Sequence, residues 1–120
     1  MLGKKIRSFR HSLAGLRVVW KEESNFKLAI VCGTMAVLAA TILEISAVEW
    51  LAVILSIGFV LSVETLNTAL EESCDMVKND PDPHIAKIKD LGSAAVLLAS
   101  IASLLVGIII FLPKVATLAW

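Results

Sequence analysis

The sequence predicts an all-α integral membrane protein: an N-terminal amphipathic surface helix followed by three transmembrane helices. Three observations carry that expectation. The chain of 120 residues is 58% hydrophobic and 18% charged, with mean hydropathy +0.84, whereas soluble domains are roughly 45–50% apolar and about 25% charged. The apolar excess is gathered into long runs, one of which, residues 91–112, contains no charge. Ahead of the first run lies a basic stretch whose apolar residues recur at helical spacing. The length supports a single domain, residues 1–120. The zero net charge gives no reason to expect a nucleic-acid partner.

The surface helix is expected over residues 4–23. Ile6, Phe9, Leu13, Leu16 and Trp20 share one face, while Lys5, Arg7, Arg10 and Arg17 fall largely elsewhere. A helix of this kind lies in the membrane interface, apolar side down. No small-residue cleavage site ends the first apolar run, so no removable signal peptide is expected. The first span covers residues 25–45, with Lys27 at its start able to reach the headgroups. Glu44 and Glu49 bracket a short turn and mark the bilayer boundary, and Trp50 then opens the second span, residues 50–73. Residues 76–89 are polar and contain Pro81 and Pro83, which predicts a connecting loop. The third span, residues 91–112, is about 33 Å long at ~1.5 Å per residue, enough for the ~30 Å hydrocarbon core. Pro113 and Lys114 are expected to end it, with Trp120 as a C-terminal anchor.

Basic residues set the expected orientation. Lys4, Lys5, Arg7, Arg10, Arg17, Lys21 and Lys27 precede or open the first span, and Lys78, Lys87 and Lys89 lie between spans two and three. The turn between spans one and two has none. The bias places the N-terminus and residues 76–89 in the cytoplasm and the C-terminus outside.

The chemistry is concentrated at the end of the second span. Glu64, Asn67, Thr68, Glu71 and Asp75 stand at i, i+3, i+4, i+7 and i+11, which is one helical stripe. Counted from Trp50, Glu64 lies about 21 Å into the bilayer and Glu71 roughly 10 Å further on. A charge near the bilayer centre costs ~2.5–3.5 kcal/mol even on the lenient insertion scale, so this carboxylate must face protein, metal or water. Asn and Thr alone would read as helix-to-helix glue; acids serve that purpose poorly. Glu22 and Glu23 end the surface helix, and Lys89 and Asp90 precede the third span, followed by Gly92, Ser93, Ala94 and Ala95. Magnesium favours one or two carboxylates plus substrate phosphates, which Glu23 and Glu71 could provide. No glycine-rich phosphate loop of the G-x-x-x-x-G-K-[ST] type is present. His11 and His84 are isolated and suggest no zinc site. Cys32 and Cys74 form no CxxC pair and are expected to be buried free thiols.

These residues carry a resemblance. Glu64-x-x-Asn67-Thr68-Ala69-x-Glu71-x-x-x-Asp75 resembles the signature E-x-x-N-[ST]-A-x-E-x-x-x-D of the prokaryotic diacylglycerol/undecaprenol kinase family. Lys89-Asp90-x-Gly92-Ser93-Ala94-Ala95-Val96 is similar to its second block, and Gly15-Leu16-Arg17 through Trp20, Glu23 and Phe26 to its surface-helix motif. The resemblance implies a homotrimeric bundle in the bacterial inner membrane, with active sites shared between subunits and MgATP as phosphate donor. It further implies Glu64 as general base, Glu23 and Glu71 as magnesium ligands, and Asn67 as a positioning residue. Glu23, Glu71, Asp75, Lys89 and Asp90 would contact ATP, and Arg17 and Ser93 would help position the substrate.

The implied lipid is diacylglycerol, giving phosphatidic acid, with undecaprenol, giving undecaprenyl phosphate, as the alternative. Ala14 departs from members with a basic residue before G-L-R. The run from Ile108 to Lys114 is similar to undecaprenol kinases, and Gly92-Ser93 to the diacylglycerol enzymes. Two other classes compete. In an ion-conducting protein Glu64 would be the relay, yet no acid lies between Glu49 and Glu64 or within residues 91–112 to continue a path. A non-catalytic helical subunit would leave the charges at residues 23, 71, 75, 89 and 90 without a purpose.

Overall fold

A computed structural model describes residues 1–77 and 81–119; Lys78 and Trp120, both used in the expectations above, lie outside the described residues. The chain forms α1 (Leu2–Glu22), α2 (Ser24–Ile42), α3 (Ala47–Val77) and α4 (Pro83–Ala119). Among the described residues, α2, α3 and α4 are long and apolar enough to cross a membrane. The protein is thus an all-α, multi-pass membrane protein.

α1 keeps Leu2, Ile6, Phe9, Leu13, Leu16 and Trp20 exposed and buries Val19. That is the pattern of a helix that places one face in lipid and touches the bundle only near its end. The corner into α2 is a single extended residue, Glu23, at φ −111° and ψ 109°. Its N–H donates to the Val19 carbonyl at 3.0 Å, and its own carbonyl accepts from the Lys27 N–H at 3.3 Å. Glu23 therefore closes one helix and opens the next. Lys27 Nζ sits 5.8 Å from the centre of the Trp20 ring, bracing the corner from outside.

The first span ends at Ile42, three residues before the expected limit. The chain reverses through Glu44, at φ 51° the sole non-glycine residue with positive φ among those described. The Ile45 N–H returns to the Ala40 carbonyl at 3.3 Å. Ser46 and Glu49 then cap α3 reciprocally: the Ser46 N–H donates to Glu49 Oε1 at 2.9 Å, and the Glu49 N–H to Ser46 Oγ at 3.2 Å. This is a capping box, legible as S-x-x-E in the sequence. Glu49 also pairs with Lys114 Nζ at 3.2 Å, tying α4 to α3. It does more than mark a boundary. The core lies at this same end, where Ala40, Ile45, Val53 and Ile110 are buried and Trp50, Ile57 and Phe111 pack against them.

The expected loop over residues 76–89 is largely helix: α3 continues to Val77 and α4 begins at Pro83. Asp82 caps α4, its Oδ1 accepting from the His84 N–H at 2.8 Å and the Ile85 N–H at 3.4 Å. Asp followed by Pro is a helix start, since Asp satisfies free N–H groups and Pro has none to satisfy. α4 also continues through Pro113 to Ala119 instead of stopping there. Proline removes one helical hydrogen bond, and membrane helices tolerate that loss where other groups re-satisfy the freed carbonyl.

α3 packs most extensively on α4 and less on α2. A Cβ on Gly33 would stand 3.2 Å from Ile57 Cγ2, so α2 approaches α3 closely there. α2 and α4 flank α3 and leave a groove between them.

Left-handed backbone costs a non-glycine residue roughly 1–2 kcal/mol. Glu44→Gly is expected to stabilise the fold by up to about 1 kcal/mol after the added chain entropy is counted, and Glu44→Val to destabilise it. Thermal unfolding in detergent, read as opposite shifts in Tm, checks both.

Candidate active site

The polar stripe on α3 runs from interior to surface. Glu64 is 6% exposed and Thr68 9%; Asn67 and Glu71 are half-buried, and Asp75 and Glu72 are exposed. A straight helix fixes that gradient, because each successive turn carries the stripe a further ~5.4 Å along the axis. Thr68 does not face the chemistry. Its Oγ1 donates to the Glu64 carbonyl at 3.0 Å, the back-bond a threonine makes inside a helix.

Asn67 Nδ2 donates to Glu71 Oε1 at 3.5 Å, one helical turn away. That contact is long, and it orients the Glu71 carboxylate. Asn67 Oδ1 is buried without a hydrogen-bond partner among the described residues. The two atoms of one carboxamide thus have unequal surroundings, which fixes the amide orientation by chemistry: the NH2 end faces the carboxylate.

Glu23 arrives from the α1–α2 corner. Burial pushes its carboxyl above the ordinary carboxylate range, and the nearby Glu71 and then Glu22 charges add to the shift. The charges of Glu23 and Glu71 also act on Glu64. Three carboxyls from two separate parts of the chain therefore share one electrostatic neighbourhood. Like charges in one neighbourhood raise the cost of ionising each, a cost that a divalent cation bound there would lower. Among the described residues no group of three or more His, Cys, Asp and Glu is arranged to hold a metal alone. Two carboxylates completed by substrate phosphates fit the donor set better.

Lys89 Nζ pairs with Asp75 Oδ1 at 2.8 Å, joining α4 to α3 beyond Glu71. The two side chains are 41% and 58% exposed, so the pair is weak and exchangeable. Asp90, next to Lys89, is exposed, as is Arg17 on α1, and neither forms an ion pair with a described residue. The fold sets Glu23, Glu64, Asn67 and Glu71 in one neighbourhood with Asp75 and Lys89 alongside, while Arg17 and Asp90 are exposed and make no ion pair with a described residue.

Sequence reasoning missed the groove. It has a volume of about 1020 Å³ and is walled by α2, α3 and α4; Glu64 is the one charged residue on its lining, with Ser93 also on it. Ser100 and Ser103 continue the same wall. Their spacing from Ser93, i+7 and i+10, was a readable signal in an otherwise apolar span. Cys32 also lines the groove and is exposed, contrary to the expectation of burial, while Cys74 is buried.

The prokaryotic diacylglycerol kinase family matches residues 10–111. The chain is 31% identical over 113 residues to the undecaprenol kinase of Bacillus subtilis, covering 94% of this chain and 92% of that one. It is 35% identical over 112 residues to a diacylglycerol kinase of Synechocystis sp., covering 92% of this chain and 64% of that one. To the diacylglycerol kinase of Escherichia coli strain K12 it is 34% identical over 100 residues, or 83% and 82% of the two chains.

The upward displacement of Glu23 has a thermodynamic consequence. An acid whose folded pKa lies above its unfolded value adds stability at low pH, and that contribution is lost as pH rises through the folded value. Glu23→Gln is therefore expected to raise Tm at pH 7 and to leave it nearly unchanged well below the ordinary carboxylate range. Thermal unfolding at the two pH values checks the sign.

Proposed function

The chain belongs to the prokaryotic diacylglycerol kinase family, and from that premise we propose that it transfers the γ-phosphate of MgATP to the primary hydroxyl of a membrane lipid alcohol. It is a membrane lipid kinase. The lipid is diacylglycerol, giving phosphatidic acid, or, as the alternative, undecaprenol, giving undecaprenyl phosphate. The observation that carries this reading is the position of Glu64: 6% exposed, at the lining of an apolar groove, and in the electrostatic neighbourhood of Glu23 and Glu71. Such a place suits a group that meets an oil-soluble alcohol on one side and a charged donor on the other.

In this reading Glu64 accepts the proton of the lipid hydroxyl as its oxygen bonds to the γ-phosphorus. The bond from that phosphorus to the bridging oxygen breaks, ADP leaves, and Glu64 later returns the proton to water. Phosphoryl transfer asks mostly for positioning and charge neutralisation. Asn67 orients Glu71, and Glu71 with Glu23 would hold magnesium. Magnesium bound there would neutralise charge on the phosphates. Lys89 exchanges Asp75 for a phosphate oxygen, which the exposure of that pair permits. Asp75 and Asp90 contact the nucleotide, and Ser93 and Arg17 help position the substrate. Arg17 and Asp90 are exposed and form no ion pair with a described residue; in this reading the chain works as a homotrimer with sites shared between neighbours. The basic residues favour an inner-membrane topology with the N-terminus in the cytoplasm and the C-terminus outside.

Purified protein in bilayer nanodiscs is expected to move radiolabelled phosphate from MgATP to one of the two lipids assayed side by side, and to stop when EDTA removes the metal. A general base is typically worth 10²–10⁴-fold, so Glu64→Gln should lose about that much turnover. Full activity in this variant would end the assignment.

A further inference from the structure

Gly92 lies inside α4, where glycine is a less favourable choice than alanine. Its backbone is ordinary, since no glycine among the described residues has positive φ. Conformational freedom therefore does not explain it. Space does. A Cβ built on Gly92 would collide with Asn67 Oδ1, would stand 2.9 Å from Leu70 Cδ2, and would lie 3.5 Å from Asn67 Cγ. The Asn67 carboxamide rests on the bare backbone of α4. Its oxygen, buried there without a partner, is held by that fit, and its nitrogen is thereby aimed at Glu71 Oε1. By contrast, a Cβ on Gly58 of α3 would meet nothing within 4 Å.

From this contact we infer that Gly92 is a positioning residue: its missing side chain holds Asn67 in the one orientation that presents its NH2 to Glu71. The inference rests on the proposed role of Glu71 as a metal ligand. An added methyl would shift side chains without breaking the fold, because the two atoms it would overlap, Asn67 Oδ1 and Leu70 Cδ2, are at the ends of side chains. It would move Asn67, and the carboxylate of Glu71 would lose its orienting donor. Losing a group that orients a metal ligand typically costs 10–100-fold in metal affinity or activity.

Binding of Mn²⁺ together with a non-hydrolysable ATP analogue, followed by electron paramagnetic resonance in nanodiscs, tests the inference. Gly92→Ala is expected to weaken Mn²⁺ about 10–100-fold while the protein still unfolds cooperatively and the KM for lipid stays at the wild-type value. Gly58→Ala is expected to behave as wild type. In an Asn67→Ala background, Gly92→Ala should add no further loss, because the two act through one contact. Wild-type Mn²⁺ affinity in Gly92→Ala overturns the inference, as does full additivity with Asn67→Ala. So does recovery in Gly92→Ala/Leu70→Ala, which would assign the effect to packing against Leu70. A wild-type protein that binds no Mn²⁺ would instead remove the metal role of Glu71, and this inference with it.

Discussion

A carboxylate in hydrocarbon must be enclosed by protein, because lipid offers it neither a hydrogen bond nor a counter-charge. Glu64 imposes that constraint here. α3 has to be the central helix, since only a helix flanked on both sides can shield a side chain so deep in the span. α2 and α4 provide the flanks, and the groove between them leaves Glu64 reachable from the lipid side. The same requirement explains the sequence of exposures along the stripe, from a buried acid to an exposed one within three turns of helix.

The two ends of the bundle answer to different demands. At the end where α2 turns into α3, the capping box of Ser46 and Glu49, the ion pair with Lys114 and the cluster around Ala40 and Val53 fix the helices to one another. At the other end the buried set mixes Val19, Phe26 and Cys74 with the polar Glu64 and Thr68, and like charges share one neighbourhood. The site retains unfavourable features: a buried amide oxygen without a partner among the described residues, and carboxyls whose charges raise one another's cost. Functional sites commonly depart from the local optimum in this way.

Much of the fold was legible because membrane helices encode themselves locally. Apolar runs, the amphipathic face of α1 and the stripe from Glu64 to Asp75 follow from spacing along a single helix. Element ends were less so. Asp82-Pro83 and S-x-x-E at Ser46 are real start signals, yet prolines among polar residues also read as a loop, and Pro113 reads as a stop. Those misreadings share a cause: proline has different meanings at the first turn, between helices and inside a membrane helix, and spacing alone does not separate them.

By itself the sequence determined the class of protein, the number of spans and the set of acids able to do chemistry, because hydropathy and helical period are properties of each segment. Only the tertiary structure decided that Glu23 from the α1–α2 corner shares an electrostatic neighbourhood with Glu64 and Glu71, that a groove is lined by Glu64, and that Asn67 rests on Gly92. Those are relations between helices. They depend on which faces pack and how closely, and a Cβ present or absent on α4 changes them without altering the period of any single helix.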